Sequence, residues 1–387
     1  MRIAVAFDCL FPWTTGGGER QYRAFAEEFA RAGHHVTYLT RQQWDGEPPT
    51  IEGLDIKVVS TDRELYTEHG VRTLGPAIRF ARGLFGHLRQ HHQDYDAVLV
   101  SSTPVTNVLA TRAALAGTKI VVVVDWLEVW RPDQWREYSG LLVGGVATVL
   151  QRLAVRLSPI ASCHSQLNVR RLLELGVAAE PVVSPGLIHA EIGREPSLAA
   201  AQPPRVIYVG RHLPNKRVEA LPAAIASARE KIPELTMTIF GAGPTRDGVL
   251  AEIDRLGLRE VVEMPGFVSQ AELDHGIRTA SCLVNPSMSE GYGLVVVESC
   301  AAGTPVILVA GEDNAAVELI DDGVNGRIAA SVAPKELGAA IVDVIQAGEP
   351  LRQTTLAWFE TASRTKTLSA TARQILAQME GAVCNVR

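Results

Sequence analysis

The sequence predicts an α/β chain folded as two parallel-sheet domains, and three observations carry that expectation. Short apolar, β-branched runs alternate with segments of helical spacing, the pattern of strands joined by crossover helices. The alternation occurs twice, on either side of Arg194 to Pro204 (REPSLAAAQPP), a Pro- and Ala-rich stretch without periodicity that reads as a linker. The 387 residues, 47% hydrophobic and 21% charged, exceed what a single core of ordinary size uses. The expected domains are 1–190 and 191–354, with a C-terminal helix at about 355–387 packing back on the first.

In the first series, Arg2–Phe7, Val36–Thr40, Asp55–Ser60, Ala97–Ser102 and Lys119–Val124 read as strands. Glu19 to Ala32 reads as the first helix. Tyr22, Phe25, Ala26 and Phe29 share one face, Glu27, Glu28 and Arg31 the other, and Gly33 ends it. Leu141 to Leu157 is the longest apolar stretch. Arg152, Arg156 and two glycines mark it as a helix packed on protein, since a membrane span needs about 20 apolar residues. The second series places strands at Arg205–Val209, Thr236–Phe240, Val261–Met264, Cys282–Asn285 and Pro305–Val309, and Thr355–Met379 is helical in pattern. The site is expected in a cleft between the halves, because ligands of open parallel sheets gather beyond the carboxyl ends of strands.

The formal charge is −6, from 37 Lys and Arg against 43 Asp and Glu, with no basic block, so the footprint of a nucleic-acid partner is absent. An anionic ligand must therefore be held by local groups. Cys9, Cys163, Cys282, Cys300 and Cys384 are odd in number and include no CxxC pair, which fits reduced thiols better than a disulfide frame or a zinc site. The opening residues MRIAVAFDCLF lack the order of a signal peptide. The expectation is a soluble, cytoplasmic protein, with peripheral contact at the inner membrane face left open.

Three loops can meet an anion. Pro12-Trp13-Thr14-Thr15-Gly16-Gly17-Gly18-Glu19 follows the first strand and opens the first helix, where N–H groups and the helix dipole receive negative charge. Its spacing is neither the dinucleotide fingerprint nor a Walker motif. Past the first strand of the second half, Arg211 and Lys216 flank a turn and can clamp a pyrophosphate. The third loop, Asn285 to Glu298, is the sharpest. Gly291 and Gly293 free the backbone, N–H groups near Gly293 and Leu294 meet a phosphate, and Glu290 and Glu298 accept from different hydroxyls of one ligand. Two carboxylates beside anion donors suit a sugar nucleotide.

These residues resemble the signature of retaining nucleotide-sugar glycosyltransferases of family four, whose two Rossmann-like domains form the GT-B fold. The resemblance runs through nearly the whole chain: GGGER with RAGHHVTYLT, VGRHLPNKR, FGAGP at Phe240–Pro244, PGFVS at Pro265–Ser269, two glutamates with seven residues between them, and AAGTPVILV followed by NAAVELIDDGVNGRIA. It implies that Arg211 and Lys216 hold the donor diphosphate, Glu298 the ribose and Glu290 the transferred sugar. By the same resemblance Gly291, Tyr292, Gly293 and Leu294 contact sugar and phosphate. Gly16, Gly17 and Gly18 close on the phosphates and acceptor, and Gly266, Phe267 and Val268 receive the nucleobase.

Two departures stand out. Related members carry Trp-His-Glu-Val-Trp after the fifth strand, and here Leu127 occupies the histidine position of Trp126-Leu127-Glu128-Val129-Trp130. Ser184-Pro185-Gly186-Leu187 replaces the commoner Asn-Gly turn. Asp125, Leu127 and Glu128 fall on the segment expected to face the acceptor. The loops Gln42–Pro49 and Leu65–Gly75 carry no transferable acceptor motif.

Other tempting residues are set aside. Asp94-Tyr95-Asp96 spells a DxD metal motif but precedes a strand. His87 and His91, at i and i+4, lack a third ligand. Asp321-Asp322-Gly323 reads as a helix stop. Cys163-His164 looks like a nucleophile and base only by adjacency, and neighbours on a strand point to opposite faces. The expected enzyme moves a hexosyl unit from a UDP- or GDP-sugar to a hydroxyl of a small-molecule, glycan or lipid-linked acceptor. It retains configuration and uses no metal and no cofactor. The alternatives are a catalytically weak or inactive sugar-nucleotide-binding protein and an epimerase of the same fold.

Overall fold

The computed structural model describes residues 1–14, 16–61, 74–189 and 195–386. The chain divides into two compact units, Met1–His189 with Lys366–Arg387, and Ala190–Thr365. Residues 355–365 thus belong to the second unit, and the return to the first begins at Lys366.

The first unit is built on seven parallel strands: β1 (Arg2–Ala6), β2 (His35–Arg41), β3 (Leu54–Ser60), β4 (Ala97–Ser101), β5 (Val121–Trp126), β6 (Ile160–Cys163) and β7 (Val182–Val183). Their order is β3-β2-β1-β4-β5-β6-β7. The central strands are covered on both faces, which is why β4 and β5 read as unbroken Val-rich runs with no alternation. The helices are α1 (Gly17–Arg31), α2 (Leu74–His91), α3 (Thr106–Ala114), α4 (Pro132–Ser139), α5 (Leu141–Arg156) and α6 (Gln166–Glu174). The β1-to-β2 crossover runs one way along the sheet, and the crossovers through α2, α3 and α5 run the other. Right-handed connections therefore put α1 on one face and those three helices on the opposite one. Phe80, Leu84, Leu88, Val108, Ala154 and Val155 accordingly share one core with Val98, Val100, Val122 and Val124.

The second unit holds β8 (Arg205–Val209), β9 (Thr236–Phe240), β10 (Val262–Gly266), β11 (Cys282–Asn285), β13 (Val306–Val309) and β15 (Gly326–Ala329), all parallel, in the order β10-β9-β8-β11-β13-β15. Two-residue strands β12 (Ser289–Glu290) and β14 (Asp313–Asn314) pair beside them. Helices α7 (Leu221–Arg229), α8 (Arg246–Arg255), α9 (Gln270–Thr279), α10 (Leu294–Ala301) and α11 (Pro334–Thr365) surround this sheet. Finally α12 (Leu368–Val386) packs on α1 and β5 of the first unit.

Several readings shift. β6 (IASC) and β15 (GRIA) mix small, polar and apolar residues and β7 is two residues long, so none of the three announces itself by periodicity. The described part of the REPSLAAAQPP stretch is a strap tied to the second unit: Ser197 N donates to Ala302 O at 3.1 Å and Ala201 N to Thr279 O at 2.8 Å. Buried Arg352 donates to Ser197 O (2.9 Å), Ala280 O (2.6 Å) and Arg278 O (2.8 Å). Burial lowers that guanidinium to about 10. Asp321-Asp322-Gly323 closes a turn after a short 3₁₀ segment, Ala315–Leu319, and ends no α-helix.

Two glycines of α2 separate packing from propensity. A Cβ on Gly83 would lie 1.8 Å from Val59 O, whereas one on Gly86 would meet nothing within 4 Å. Gly86→Ala should stabilise the first unit by about 0.5–1 kcal/mol, and Gly83→Ala should destabilise it by about 1–3 kcal/mol as overpacking. Denaturant unfolding followed by tryptophan fluorescence reads this directly, since five of the six tryptophans lie in that unit. Equal shifts for both variants would refute the close approach of α2 to β3.

Candidate active site

In the second unit, the loops after β8 and β11 are sewn together by backbone and side-chain bonds. Met288 N donates to Asn215 O at 2.8 Å, and Asn215 Nδ2 to Ser289 Oγ at 3.1 Å. Arg217, held in the left-handed region at φ 48°, donates from Nε to Pro286 O (2.8 Å) and from Nη2 to Ser287 O (3.1 Å). Arg217 is thus the staple of the VGRHLPNKR loop. Lys216, freed of that task, sets its Nζ 2.6 Å from Glu290 Oε1.

Glu290 sits on β12 and also accepts from Asn285 Nδ2 at 3.1 Å, with Ser287 Oγ at 3.0 Å. Burial pushes its carboxyl up. The Lys216 ammonium, with hydrogen bonds from Lys216, Asn285 and Ser287, outweighs burial and holds the group below the usual carboxylate range. Arg211 is exposed, and its carbonyl accepts from Tyr208 Oη at 3.0 Å, which fixes the backbone from which the guanidinium projects.

Gly291 and Tyr292 are half-buried and lead into Gly293, which opens α10 at φ 96°. A Cβ at Gly293 would stand 2.8 Å from Ala316 Cβ, so conformation and space both require glycine. No side chain caps α10, and its first N–H groups, from Leu294 onward, are of the kind that bind anions. Glu298 follows on the second turn, half-buried. At the end of β10, Gly266 turns at φ 82°; beyond it Val268 is half-buried, and Phe267 is 77% exposed, an aromatic surface in the open.

In the first unit, Gly16 precedes α1 and Gly17 and Gly18 form its first turn, while Thr15 lies outside the described residues, as do residues 65–73 of the Leu65–Gly75 loop. A Cβ on Gly18 would lie 3.4 Å from both Leu127 Cδ1 and Phe7 Cζ, so Leu127 packs against the glycine turn. Asn168 pins the segment by donating to Leu127 O (3.1 Å) and accepting from Val129 N (3.0 Å). The half-buried Glu128 accepts from Trp130 Nε1.

Asp125 differs from the expectation that it faces an acceptor: it is fully buried at the end of β5. Tyr22 Oη (2.8 Å) and Gln21 Nε2 (3.2 Å) donate to Oδ2, and Ser162 Oγ (2.6 Å) donates to Oδ1. His164 Nε2 stands 2.9 Å from Oδ1, and Gln21 Nε2 is 2.7 Å from the same imidazole nitrogen. Burial raises the Asp125 carboxyl, and the His164 charge with hydrogen bonds from His164, Ser162 and Tyr22 brings it below its ordinary value. This cluster ties α1, and hence the glycine turn, to the carboxyl ends of β5 and β6. Gln21 was missed by sequence reasoning, and His164 was set aside there together with Cys163. The available signal was a run of polar residues, Ser162 and His164, at the end of an apolar strand. The setting aside of Cys163 as a nucleophile agrees with its place in the core, away from that ring. His87 Nε2 meets Tyr95 Oη at 2.8 Å, and Asp96 Oδ2 accepts from Arg2 N at 2.8 Å, so both serve the opposite end of the sheet.

Residues 16–186 match the glycosyl transferase 4-like domain, and residues 190–355 match the glycosyl transferases group 1. The chain belongs to the GT4-type glycosyltransferases, with the GT-B fold. D-inositol 3-phosphate glycosyltransferase of Segniliparus rotundus is 31% identical over 237 residues, 55% of this chain and 51% of that protein, so the match spans about half the relative's length. Sucrose-phosphate synthase of Thermosynechococcus elongatus superposes with a TM-score of 0.80 at 17% identity, covering 99% of both chains. Anabaena HepE, solved with UDP-glucose, superposes with 0.71 at 18% identity over 98% of this chain and 100% of that one. At such identities the two structures establish shared fold.

The depressed carboxylates give a pH prediction. A group whose folded pKa lies below its unfolded value, about 3.9 for Asp, contributes stability above that value and loses it as pH falls through the folded one. The first unit should therefore lose stability progressively below about pH 5, and Asp125→Asn, which deletes the proton uptake, should flatten that slope as well as lower stability at pH 7. Parallel pH profiles for parent and variant would show that Asp125 is not held ionised.

Proposed function

We propose that the chain is a retaining hexosyltransferase that takes its sugar from a UDP- or GDP-sugar and delivers it to a hydroxyl of a small-molecule, glycan or lipid-linked acceptor. We read it as acting in the cytoplasm without metal or cofactor. The observation that carries this reading is the Lys216–Glu290 pair, set beside the uncapped start of α10 by loops that Arg217 staples together. Cations and N–H donors answer a diphosphate, and carboxylates answer hydroxyls.

In this reading Lys216 keeps one of its three N–H donors on Glu290 and turns the others to phosphate oxygens. Arg211 and the N–H groups of Gly293 and Leu294 complete the anion site. Glu290 accepts from a hydroxyl of the transferred sugar and Glu298 from the ribose. Gly266, Phe267 and Val268 take the base, with the exposed Phe267 ring as a stacking surface. Gly16, Gly17 and Gly18 offer backbone N–H groups at the start of α1 to phosphate, and Leu127 and Glu128 stand on the acceptor side. The Asp125 cluster fixes the turn they stand on. The bond from the anomeric carbon to the phosphate oxygen breaks, a bond to the acceptor oxygen forms on the same face, and the leaving phosphate takes the acceptor proton. Charge grows on the diphosphate, so Arg211, Lys216 and the N–H groups bind the transition state more tightly than the ground state. The complex of HepE with UDP-glucose supports a uridine donor. No observation favours the epimerase or the inactive binder over the transferase.

Lys216→Ala should lower kcat on the order of 10²-fold while weakening donor binding much less, because the lost donor acts on charge that develops in the transition state. Turnover of the best of a panel of UDP- and GDP-hexoses gives kcat, and UDP titration gives binding; assays in EDTA should match those with Mg²⁺. Unchanged kcat would sink the clamp, and activity lost in EDTA and restored by Mg²⁺ would sink metal independence.

Leu127→His places an imidazole against the Gly18 turn and should alter kcat/KM ratios among hexoses that differ at one hydroxyl, whereas Leu127→Ala should change them little. If every ratio survives Leu127→His, the position is packing alone.

A further inference from the structure

The first unit carries a face whose chemistry is unlike the rest of the chain. α5 is the helix expected to be packed on protein, yet Leu142 is 87% exposed and Val149 63%, with Leu141, Val146 and Leu153 exposed beside them. Its polar residues on that side are Arg152 and Arg156, at helical spacing with the apolar ones. On α2, Leu74, Ile78 (57%) and Phe85 are exposed among Arg79, Arg82 and Arg89. The two helices share one side of the sheet with α3, which touches both and carries Arg112. None of the three helices contains an Asp or Glu. The chain as a whole has 43 acidic residues against 37 basic ones, so this segregation runs against its composition. Acidic residues resume at the flanking helices, with Asp133 and Glu137 on α4 and Glu174 on α6.

We infer that the face formed by α2, α3 and α5 docks on an anionic lipid bilayer, with the apolar side chains entering the headgroup boundary and the arginines pairing lipid phosphates. Exposed leucines and valines interleaved with arginines are the composition of an interfacial helix, and anionic lipid supplies the charge the face lacks. A second copy of the chain fits less well, because a twofold contact would set arginine against arginine with no carboxylate from these helices to answer. No helix among the described residues is long and apolar enough to cross a membrane, which fits a protein that lies on the surface. The inference stands independently of the transferase reading.

Sedimentation of the full chain with vesicles tests it, using phosphatidylcholine alone and equal parts phosphatidylcholine and phosphatidylglycerol. The protein should sediment with the mixed vesicles, much less with neutral ones, and less as NaCl is raised. Arg152→Gln with Arg156→Gln should lower partitioning about 30-fold, and Leu142→Ser with Val149→Ser should abolish it. UDP affinity and the unfolding midpoint should stay unchanged, and Lys335→Gln on the second unit should change nothing. Equal sedimentation with both vesicles, sedimentation with neither, or a dimer in lipid-free buffer that Leu142→Ser dissociates would overturn the inference.

Discussion

Parallel pairing gives all strands of a sheet one direction, so the loops that follow them converge on one edge, and the polar cluster of each unit depends on that convergence. Asp125 ends β5, and β5 pairs β6 so that Asp125 lies opposite Ser162. Residues far apart in sequence, at 21, 125 and 164, therefore meet in one cluster. The second sheet repeats the logic, with β8 and β11 as neighbours whose following loops are stapled by Arg217. An antiparallel sheet would scatter these ends over two edges and assemble neither cluster.

Both clusters are built around a buried or half-buried carboxylate that the fold keeps ionised. Burial alone would favour the protonated acid, and each site answers it with several hydrogen-bond donors, joined by the His164 imidazole in the first unit and the Lys216 ammonium in the second. Such a group is expensive to leave unpaired, which ties local geometry to the correct docking of distant elements. In the first unit this means α1 against β5 and β6. In the second it means the β8 loop against the β11 loop. Rigid backbones under the glycine turn and under Lys216 are the mechanical consequence, and positioning is what a transferase asks of its scaffold.

The faces of the first sheet are treated differently. The α1 face is covered by a helix borrowed from the far end of the chain, α12. The opposite face has its inner layer buried against the strands, through Phe80, Leu84 and Val155, and leaves an outer layer of leucine, valine and arginine facing outward. Folding explains the inner layer and has no need of the outer one. That contrast is the physical ground for assigning the outer layer to a surface outside the protein.

The strand and helix alternation, the glycine loops and the two-sheet architecture were legible in the sequence, because buried parallel strands and amphipathic helices impose local periodicity. The loops that carry Arg211, Lys216, Glu290 and Glu298 were legible for a related reason: they follow recognisable strands and carry a family's spacing. What the tertiary structure alone decided concerns pairing across long separations. Asp125 looked like an acceptor-facing acid until the register of β5 on β6 enclosed it with His164. Nothing local marked Arg217, which its bonds to Pro286 and Ser287 make the staple. The 141–157 stretch looked like a core helix, since its apolar content is visible in sequence while the side left uncovered is not. Local periodicity sets which elements form. Which polar group meets which partner, and which apolar face finds none, depends on contacts that no window of sequence contains.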